Sequence, residues 1–597
     1  MTPRFKFESL RRFCWATAIS LTAAGCSAAA PAPDNNGTRT QAPPTLVQTA
    51  TNVQSAAQAS TRQNRSVFGY YLAGIHAKSR QDVTSAANYM TAALAQDPTH
   101  PALLREAFLF NTIIGKMDRA VTLARRMAET PAEHGGATLL RALARIKSGD
   151  LGAANTVLAS LPEQGLSRLV QPLLGSWLAL GRERSPESLK RLTDLDAIEG
   201  LALLRHIHTA LIQDYNGNST AASKAFEKAL NASNDLSLRL AWLAANHYIR
   251  QGQRERGLRL MQQQQADQPD SETVRAILTR LENKAPTEPL LRRPEDGIAE
   301  ALFNIASLLN QQGAKDLALL YTRLSLYMRP SFDFGRVLLA EILQRQERAD
   351  AAISAYAEIP PDSPFHYVAQ LRTATELQNL GAPEQAIARL EELAAAYPNR
   401  YEPLYRIGNI HRSRESFQAA ATAYSKAVNR ISKSQERHWS VYYFLGIALE
   451  RTERWTAAED AFETALELKP EQPYVMNYLA YSWVEQQTNL TKAQAMLRRA
   501  VEQRPEDGFI VDSLGWVYYR LGVYEKAVEY LERAVALRPS DPVINDHLGD
   551  AYWKVGRRRE ARFQWHRALD LDPTAEASAQ IKSKLESGLQ ASSDSNG

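Results

Sequence analysis

Few residues of this 597-residue chain are placed to do covalent or acid–base chemistry. The sequence contains no Gly-x-Ser-x-Gly segment, no phosphate-binding loop and no His-Glu-x-x-His segment. His206 and His208 lie two residues apart, so a helix would point them to different sides, and we interpret both as structural. We therefore predict no catalytic residue, no metal site and no cofactor, and an unrecognised enzyme is the last of the function classes considered.

Cys26 is the residue whose thiol chemistry the surrounding sequence singles out. It follows a basic N-terminal section and a short apolar run from Phe13 to Ala24, which is the arrangement of a signal peptide. The run is shorter than the roughly 20 residues that a membrane-spanning helix needs. The other cysteine, Cys14, lies inside this leader, so removal of residues 1–25 would leave no partner for an internal disulfide.

The segment Ala23-Ala24-Gly25-Cys26 resembles the processing site of bacterial lipoproteins, in which a small residue precedes a cysteine that takes a diacylglycerol and becomes the new N-terminus. Ala23 departs from the pattern, because the family usually has leucine there. The resemblance implies a lipid anchor on Cys26 at the periplasmic face of the cell envelope. Ser27 stands where an aspartate tends to retain such proteins at the inner membrane, which favours the outer membrane. The alternative is secretory cleavage near Ala28-Ala29-Ala30, which would release a soluble periplasmic protein.

Residues 26–65 are rich in Ala, Pro, Thr, Gln, Asn and Ser and contain few large apolar side chains. Such a segment cannot bury enough surface to offset the entropy lost on ordering, so we predict a disordered tether. The formal charge of +5 gives no further clue: residues 1–25 carry four basic groups and one acidic group, a net +3, which leaves about +2. This balance does not favour a nucleic-acid partner.

Beyond the tether, small residues recur at a nearly constant spacing. Gly446, Ala480 and Gly515 lie 34 and 35 residues apart, and an alanine follows each after twelve or thirteen residues. This pattern predicts pairs of helices that cross so closely that only Gly, Ala or Ser fits at the crossing. The extra residue after Ala480 is placed near Thr488-Asn489-Leu490, and prolines such as Pro539 are predicted to end the second helix of a unit.

The repeat resembles the tetratricopeptide repeat, most specifically in the units around Gly446, Gly515 and Gly549. The resemblance implies an all-α superhelical solenoid, with roughly fourteen candidate units between about Ser66 and Ala575. The period breaks over residues 270–296, which contain Lys284-Ala285-Pro286-Thr287-Glu288-Pro289, so we predict two arms. The predicted organisation is an N-terminal divergent array over 66–283, a linker over 284–296, a C-terminal array over 297–575, and a capping helix with a polar tail over 576–597.

In tetratricopeptide arrays the first helix of each unit lines a concave surface, and its positions two, five, nine and twelve point into the groove. In the C-terminal units these positions carry aromatic rings interleaved with Asn and Asp. Rings can anchor a partner, and Asn or Asp can bond the main chain of an extended peptide. The alternative is that superhelical winding buries some rings against the next unit. The predicted groove residues are Tyr405, Asn409, Arg412, Tyr443, Tyr474, Asn477, Tyr481, Phe509, Asp512, Trp516, Tyr519, Asp546, Asp550 and Trp553.

The layout of leader, tether and repeats is similar to that of repeat lipoproteins that act as adaptors for periplasmic carboxyl-terminal processing proteases. The resemblance implies a non-enzymatic adaptor that binds the protease and delivers cell-wall hydrolases to it. Its partners would be proteins or extended peptides, together with the membrane through the N-terminal lipid. The alternative is a scaffold for envelope polysaccharide export or outer-membrane assembly. Arrays of this class often dimerise through terminal repeats, so a homo-oligomer also stays open.

Overall fold

A computed structural model describes residues 66–130, 134–183, 185–233, 235–283 and 287–589. The predicted leader, the lipidation residue Cys26 and the predicted tether lie outside the described residues, as do 284–286 of the predicted linker and 590–597 of the predicted tail. The described ranges are helical and contain no β-strand, which confirms the all-α repeat architecture predicted from the spacing of small residues. No helix in these ranges has the length and apolar character needed to cross a membrane.

The chain divides into two compact units, the first ending at Gly381 and the second beginning at Ala382. The helices of the first unit are α1 (Val67–Ser79), α2 (Val83–Gln96), α3 (Pro101–Ile113), α4 (Met117–Met127), α5 (Gly135–Lys147), α6 (Leu151–Ala159), α7 (Ser167–Gly181), α8 (Ser185–Leu192), α9 (Ala202–Tyr215), α10 (Ser219–Asn231), α11 (Leu238–Arg250), α12 (Arg254–Asp267), α13 (Glu272–Glu282), α14 (Pro294–Gln311), α15 (Lys315–Met328), α16 (Asp333–Arg345), α17 (Ala349–Ala357) and α18 (His366–Asn379).

The second unit continues the same pattern of short helices. Its helices are α19 (Pro383–Ala396), α20 (Glu402–Ser413), α21 (Phe417–Val428), α22 (Trp439–Glu450), α23 (Trp455–Leu468), α24 (Pro473–Glu485), α25 (Leu490–Gln503), α26 (Gly508–Arg520), α27 (Tyr524–Leu537), α28 (Pro542–Lys554), α29 (Arg558–Asp570) and α30 (Ala575–Ser587). Short 3₁₀ turns cover Thr193–Ala197 in the first unit and Glu436–His438 in the second.

Consecutive helices pack as hairpins, and each hairpin packs on the next. In the described part of the first unit the pairs are α1/α2, α3/α4, α5/α6, α7/α8, α9/α10, α11/α12, α14/α15 and α16/α17. In that of the second unit they are α20/α21, α22/α23, α24/α25, α26/α27 and α28/α29. The first helices of neighbouring hairpins also touch, as α24 does α26 and α26 does α28, so that they line one face of the second unit.

Small residues sit at the crossings, as the spacing predicted. A Cβ atom added to Gly446 would lie 2.6 Å from the ring of Phe462, and one added to Gly549 would lie 2.5 Å from the indole of Trp565. The alanines twelve residues later, such as Ala458 and Ala561, are fully buried. The backbones can therefore approach because no side chain stands between them, and large rings fill the space beside the crossing.

The turns inside the hairpins use left-handed backbone conformations. Gly522 and Gly556 have φ of +75° and +80°, a region that glycine enters without a steric penalty. The longer turn after α24 contains two such residues, Gln487 with φ +56° and Asn489 with φ +51°. The inserted residue predicted near Asn489 is thus accommodated in the turn, and α25 begins directly after it at Leu490.

Residues 287–293, which follow the break in the repeat period, are tied to the first unit. Leu291 is buried in its apolar core, and the Asn246 side chain donates a hydrogen bond to the Glu288 carbonyl at 2.9 Å. Helix α14, directly after this segment, packs on α7 and α9. The described residues on both sides of 284–286 therefore share one core, and the functional division into two arms at 284–296 stays a prediction.

Candidate functional site

The fourteen predicted groove residues lie on α20, α22, α24, α26 and α28, the first helices of the five hairpins in the second unit. All fourteen are at least partly buried. Three of them are almost completely buried: Asp512, Trp516 and Asp550 are 5%, 7% and 5% exposed. The helix assignment made from the sequence therefore holds, and for these three residues packing against neighbouring helices dominates.

At the α20 end, Asn409 and Arg412 contact other side chains of the unit, although Nε of Arg412 has no hydrogen-bond partner in the described residues. The amide oxygen of Asn409 accepts a hydrogen bond from the Tyr424 hydroxyl at 2.7 Å. The guanidinium of Arg412 lies 4.4 Å from the centre of the Phe444 ring, a cation–π distance. These contacts fix the side chains that border the groove.

The middle of the predicted groove, on α24, contains a polar atom without a partner. The side-chain oxygen of Asn477 is buried, and no donor in the described residues reaches it. Tyr474 and Tyr481 lie three residues before and four after it, so all three share one face of the helix. Burial raises the pKa of the Tyr481 phenol far above its ordinary value, so its hydroxyl stays neutral. This face combines aromatic rings with an acceptor that can receive an N–H donor.

On α26 the rings form a stack instead of an open surface. The indole of Trp516 lies between the imidazole of His547, 4.0 Å away with an interplanar angle of 11°, and the phenol of Tyr519, 4.6 Å away at 5°. Its Nε1 donates a hydrogen bond to Glu485 at 2.6 Å. The stack joins α26 to α28, so Trp516 contributes to cohesion between two hairpins.

His547 is buried beside carboxylates. Its Nδ1 lies 3.1 Å from both carboxylate oxygens of Asp512. Burial alone would lower the pKa of His547, but the charge and hydrogen bond of Asp512, helped by Asp546 and Asp550, outweigh it and raise the pKa above its ordinary value. The protonated imidazolium is therefore favoured in the folded protein.

The last two predicted carboxylates, on α28, are occupied by a lysine from α30. Lys584 Nζ lies 2.8 Å from Asp546 Oδ2 and 2.8 Å from Asp550 Oδ2, and Asp550 also accepts a hydrogen bond from Trp565 Nε1 at 2.9 Å. Burial, together with the charge of Asp546, raises the pKa of Asp550 to about 6. Helix α30 thereby covers this end of the predicted groove.

The first unit contains a cavity of about 420 Å³ that the sequence reasoning did not predict. Its walls come from first helices: α9, α11, α14, α16 and α18. The lining includes the apolar residues Leu240, Leu243 and Phe303 and the charged residues Glu341 and Arg345. A volume of this size and a mixed lining are typical of a ligand-binding site.

A buried ion pair forms part of the cavity lining. Arg239 and Glu300 meet through two contacts, 3.1 Å from Nε and 2.5 Å from Nη2, and their side chains are only 8% and 1% exposed. The Arg239 guanidinium also lies 4.9 Å from the centre of the Phe334 ring. Since these charges satisfy one another, the polar side chains left to contact a ligand include Glu341, Ser307 and Asn310.

Glu341 is the titratable group of the cavity. Burial raises the pKa of its carboxyl to about 6, although the neighbouring Arg372 and Arg345 act to lower it. Its neighbour Gln344 has both amide atoms engaged, since it donates to Glu376 and accepts from the Tyr356 hydroxyl, each at 2.8 Å. The pKa of the Glu341 carboxyl therefore lies closer to neutral pH than that of an ordinary glutamate.

His206 and His208 both lie on α9 of this unit, and the two side chains do not form a site together. His208 is fully buried and accepts a hydrogen bond from Trp177 Nε1 at 3.0 Å. Burial lowers the pKa of His208 to about 4, so it is neutral. In the described ranges no group of three or more His, Cys, Asp or Glu side chains could hold a metal ion.

Family models for tetratricopeptide repeats match three stretches of the chain. The match covers residues 371–436 and 426–473 with one model, described as tetratricopeptide repeat, and residues 515–556 with a second, described as TPR repeat. The chain contains tetratricopeptide repeats. The matched stretches include α20, α22, α28 and the last six residues of α26, and they contain nine of the fourteen predicted groove residues.

Two curated relatives share parts of this array. The TPR repeat-containing protein PA4667 of Pseudomonas aeruginosa is 25% identical over 198 residues, which are 33% of this chain and 33% of that protein. The BBSome complex member BBS4 of Bos taurus is 28% identical over 103 residues, 17% of this chain and 19% of that protein. The chain thus spans a third or less of the length of these relatives.

Solved structures also show partial similarity to the chain. The crystal structure of the APC/C hetero-tetramer Cut9-Hcn1 is 16% identical, with 90% of this chain and 99% of that chain covered and a TM-score of 0.35. The crystal structure of YrrB, described as a TPR protein with an unusual peptide-binding site, is 21% identical, with 32% and 97% covered and a TM-score of 0.27.

The tetratricopeptide register explains how the cavity of the first unit could have been found. If Ala306 and Ala340 mark the crossings of α14 and α16, positions two, five, nine and twelve of α14 are Glu300, Phe303, Ser307 and Asn310, and all four line the cavity. The same count on α16 selects Glu341 and Gln344. These helices belong to the predicted C-terminal array, but the predicted groove begins only at Tyr405 and so does not include them.

Proposed function

We propose that this chain is a non-enzymatic scaffold that binds extended segments of partner proteins on the first helices of its tetratricopeptide array. The observation that carries the proposal is the buried side-chain oxygen of Asn477, which no donor in the described residues reaches. A buried acceptor without a donor costs about 1–3 kcal/mol. Rotation of the Asn477 side chain towards the groove would let a peptide N–H placed between Tyr474 and Tyr481 recover that cost, and the two rings would flank the side chains of the peptide.

Two separate binding regions favour an adaptor over a single-partner protein. The α24 face lies in the second unit, and the cavity around Glu341 lies in the first. A scaffold that holds two proteins raises their effective concentration and can accelerate a reaction between them without chemistry of its own. The finer proposal is that one partner is a periplasmic carboxyl-terminal processing protease and the other its client, a cell-wall hydrolase.

The proposed location is the periplasmic face of the cell envelope, with a lipid on Cys26 as the anchor. The support is the sequence of residues 1–26, a basic section followed by a short apolar run, a small residue and cysteine. Labelling of growing cells with a radioactive or clickable fatty acid tests this part directly. Label on the wild type and none on Cys26→Ser is expected, and equal labelling of both would contradict the anchor.

Affinity capture from detergent-solubilised envelope, followed by mass spectrometry, tests the binding function. We compare the wild type with Asn477→Ala and with the matched control Asn429→Ala, an exposed asparagine just after α21. A protease and wall hydrolases captured by the wild type and the control, with one group depleted about tenfold by Asn477→Ala, would support the adaptor proposal. Capture of polysaccharide synthesis or export machinery instead would favour the scaffold alternative, and equal capture by all three proteins would overturn the role of Asn477.

A further inference from the structure

Helix α1 presents an apolar stripe to solvent. Phe68 is 78% exposed and Leu72 is 65% exposed, and Tyr71 and Ile75 are each 36% exposed. These positions follow the i, i+3, i+4, i+7 pattern, so the four side chains form one continuous face. Four of the nine large hydrophobic residues that are exposed in the described ranges lie on this one helix. A cluster of this kind marks an interaction surface.

The stripe lies at an end of the array that no described helix covers. The inner face of α1 packs on α2, where Gly74 lies against Met90 and Ala77 is buried. The other end of the array is closed differently, since α30 follows α29 and buries Ile581 against it. Terminal repeats usually carry a polar outer face for solubility, and α1 departs from that rule.

The charged residues of α1 and of its C-cap, Arg80, are basic, and the nearby acidic residues are Glu106 and Asp82. From Ser66 to Gln81 the chain contains His76, Lys78 and Arg80 and no acidic residue. Lys78 lies 3.6 Å from Glu106, but its side chain stays 54% exposed. An α1 helix from a second copy would bring the same cations and no carboxylate to pair with them. A surface of anionic lipid headgroups supplies the complementary charge and an apolar layer beneath it.

We infer that α1 lies flat on an anionic lipid bilayer, with Phe68 and Leu72 in the boundary between headgroups and acyl chains and the basic C-terminal turn among the phosphates. The helix is 13 residues long, which corresponds to about 20 Å of contact along the membrane plane. The Ser66 hydroxyl accepts a hydrogen bond from the Gly69 amide at 3.3 Å and so fixes where the helix begins. The inference rests on the proposed function in one respect: the membrane that α1 contacts is a membrane of the cell envelope.

Sedimentation with lipid vesicles tests this contact. All proteins are the full chain with Cys26→Ser, so no lipid is attached and residues 1–65 contribute equally. The vesicles contain phosphatidylcholine alone or with about 30% phosphatidylglycerol. We expect Phe68→Ser/Leu72→Ser to partition about tenfold more weakly onto the anionic vesicles than the parent chain, and Lys78→Gln/Arg80→Gln to lose most of its preference for them.

The control is Val523→Ser/Val543→Ser, which removes two exposed apolar side chains from the second unit and should bind like the parent. Circular dichroism checks that each variant is folded. Amide hydrogen exchange locates the contact independently: the peptide covering residues 67–79 should exchange more slowly when anionic vesicles are present. Equal partitioning of the stripe variant and the parent, or unchanged exchange in this peptide, would overturn the inference.

The competing hypothesis is that a second copy of the chain covers the apolar stripe of α1. Analytical ultracentrifugation without lipid would then show concentration-dependent dimers of the parent and monomers of Phe68→Ser/Leu72→Ser, a result that overturns the membrane contact. The vesicle assay needs no protein partner, so its outcome does not depend on the capture experiment. Weak partitioning onto vesicles together with successful capture of partners would overturn only the membrane contact of α1. Strong partitioning without captured partners would overturn only the adaptor function.

Discussion

The carboxylate of Asp512 lies 3.1 Å from Nδ1 of His547, and the two residues, 35 positions apart, join α26 to α28. Both side chains are nearly inaccessible to solvent, at 8% and 9% exposure. A charged pair in such a place contributes to stability only while both partners are ionised. The pair therefore links the stability of this end of the array to pH.

His547 should make the second unit more stable at mildly acidic pH. Because the folded pKa of His547 is raised above its ordinary value of 6.5, its contribution is fully present below pH 6.5 and is lost as the pH rises through the folded pKa. The melting temperature of the wild type should rise between pH 8 and pH 6. In His547→Gln we expect this rise to be about 2–4 °C smaller.

Asp550 acts in the same direction at lower pH, because its pKa is raised to about 6 from 3.8. Asp550→Asn in the His547→Gln background should therefore reduce the remaining pH dependence between pH 6 and pH 4. Differential scanning calorimetry at matched ionic strength measures both effects. Parallel pH profiles of the wild type and His547→Gln would contradict the assignment.

Replacing Lys584 by Met should destabilise the second unit by about 1–3 kcal/mol, since Asp546 and Asp550 would be left close together without a cation. In the double variant Lys584→Met/Asp550→Asn, part of this lost stability should be restored. Lys582→Met, on an exposed side of the same helix, is the control and should be close to neutral. Denaturant unfolding measures the differences, and an equal effect at Lys582 would mean that the ion pairs do not matter.

The hairpin crossing at Gly446 should not tolerate a larger side chain. Gly446→Val would place a Cβ atom only 2.6 Å from the Phe462 ring. Overpacking of this kind costs about 1–3 kcal/mol. Gly135→Ala is the matched control, because no atom lies within 4 Å of the added Cβ at the start of α5. Thermal unfolding followed by circular dichroism checks both variants. A neutral Gly446→Val would show that the hairpin can open without cost.

The Arg239–Glu300 pair should behave as a unit. Arg239→Met leaves a carboxylate that is 1% exposed without its partner, and such a loss costs about 3–5 kcal/mol. Arg239→Met combined with Glu300→Leu should recover much of that loss, because the uncompensated charge is gone. A double-mutant cycle in urea measures the coupling, and additive single effects would contradict it.

The repeat architecture could be predicted because its signal is local. A small residue such as Gly446 and the alanine twelve residues later determine one hairpin, and the pattern recurs along the chain. The boundary between the compact units at Gly381 is different, because it depends on how helices pack and no change of composition marks it. Hence the hairpins follow from the sequence, whereas their grouping into units does not.

For the candidate site, only the helix on which each residue lies could be predicted from the sequence. The register placed Asp512 and Asp550 on the correct helices, but it could not show that His547 and Lys584, 35 and 34 residues further along, already bond them. Such pairs depend on distances between side chains in different hairpins. The same register also selects Glu341 in the predicted C-terminal array, but the predicted groove begins at Tyr405 and so leaves the cavity out.

The position of Lys584 has a consequence for which predicted groove residues a partner can reach. Its ammonium group neutralises Asp546 and Asp550, so a cationic partner segment would have to displace Lys584, and with it the last described helix, before it could bind these two carboxylates.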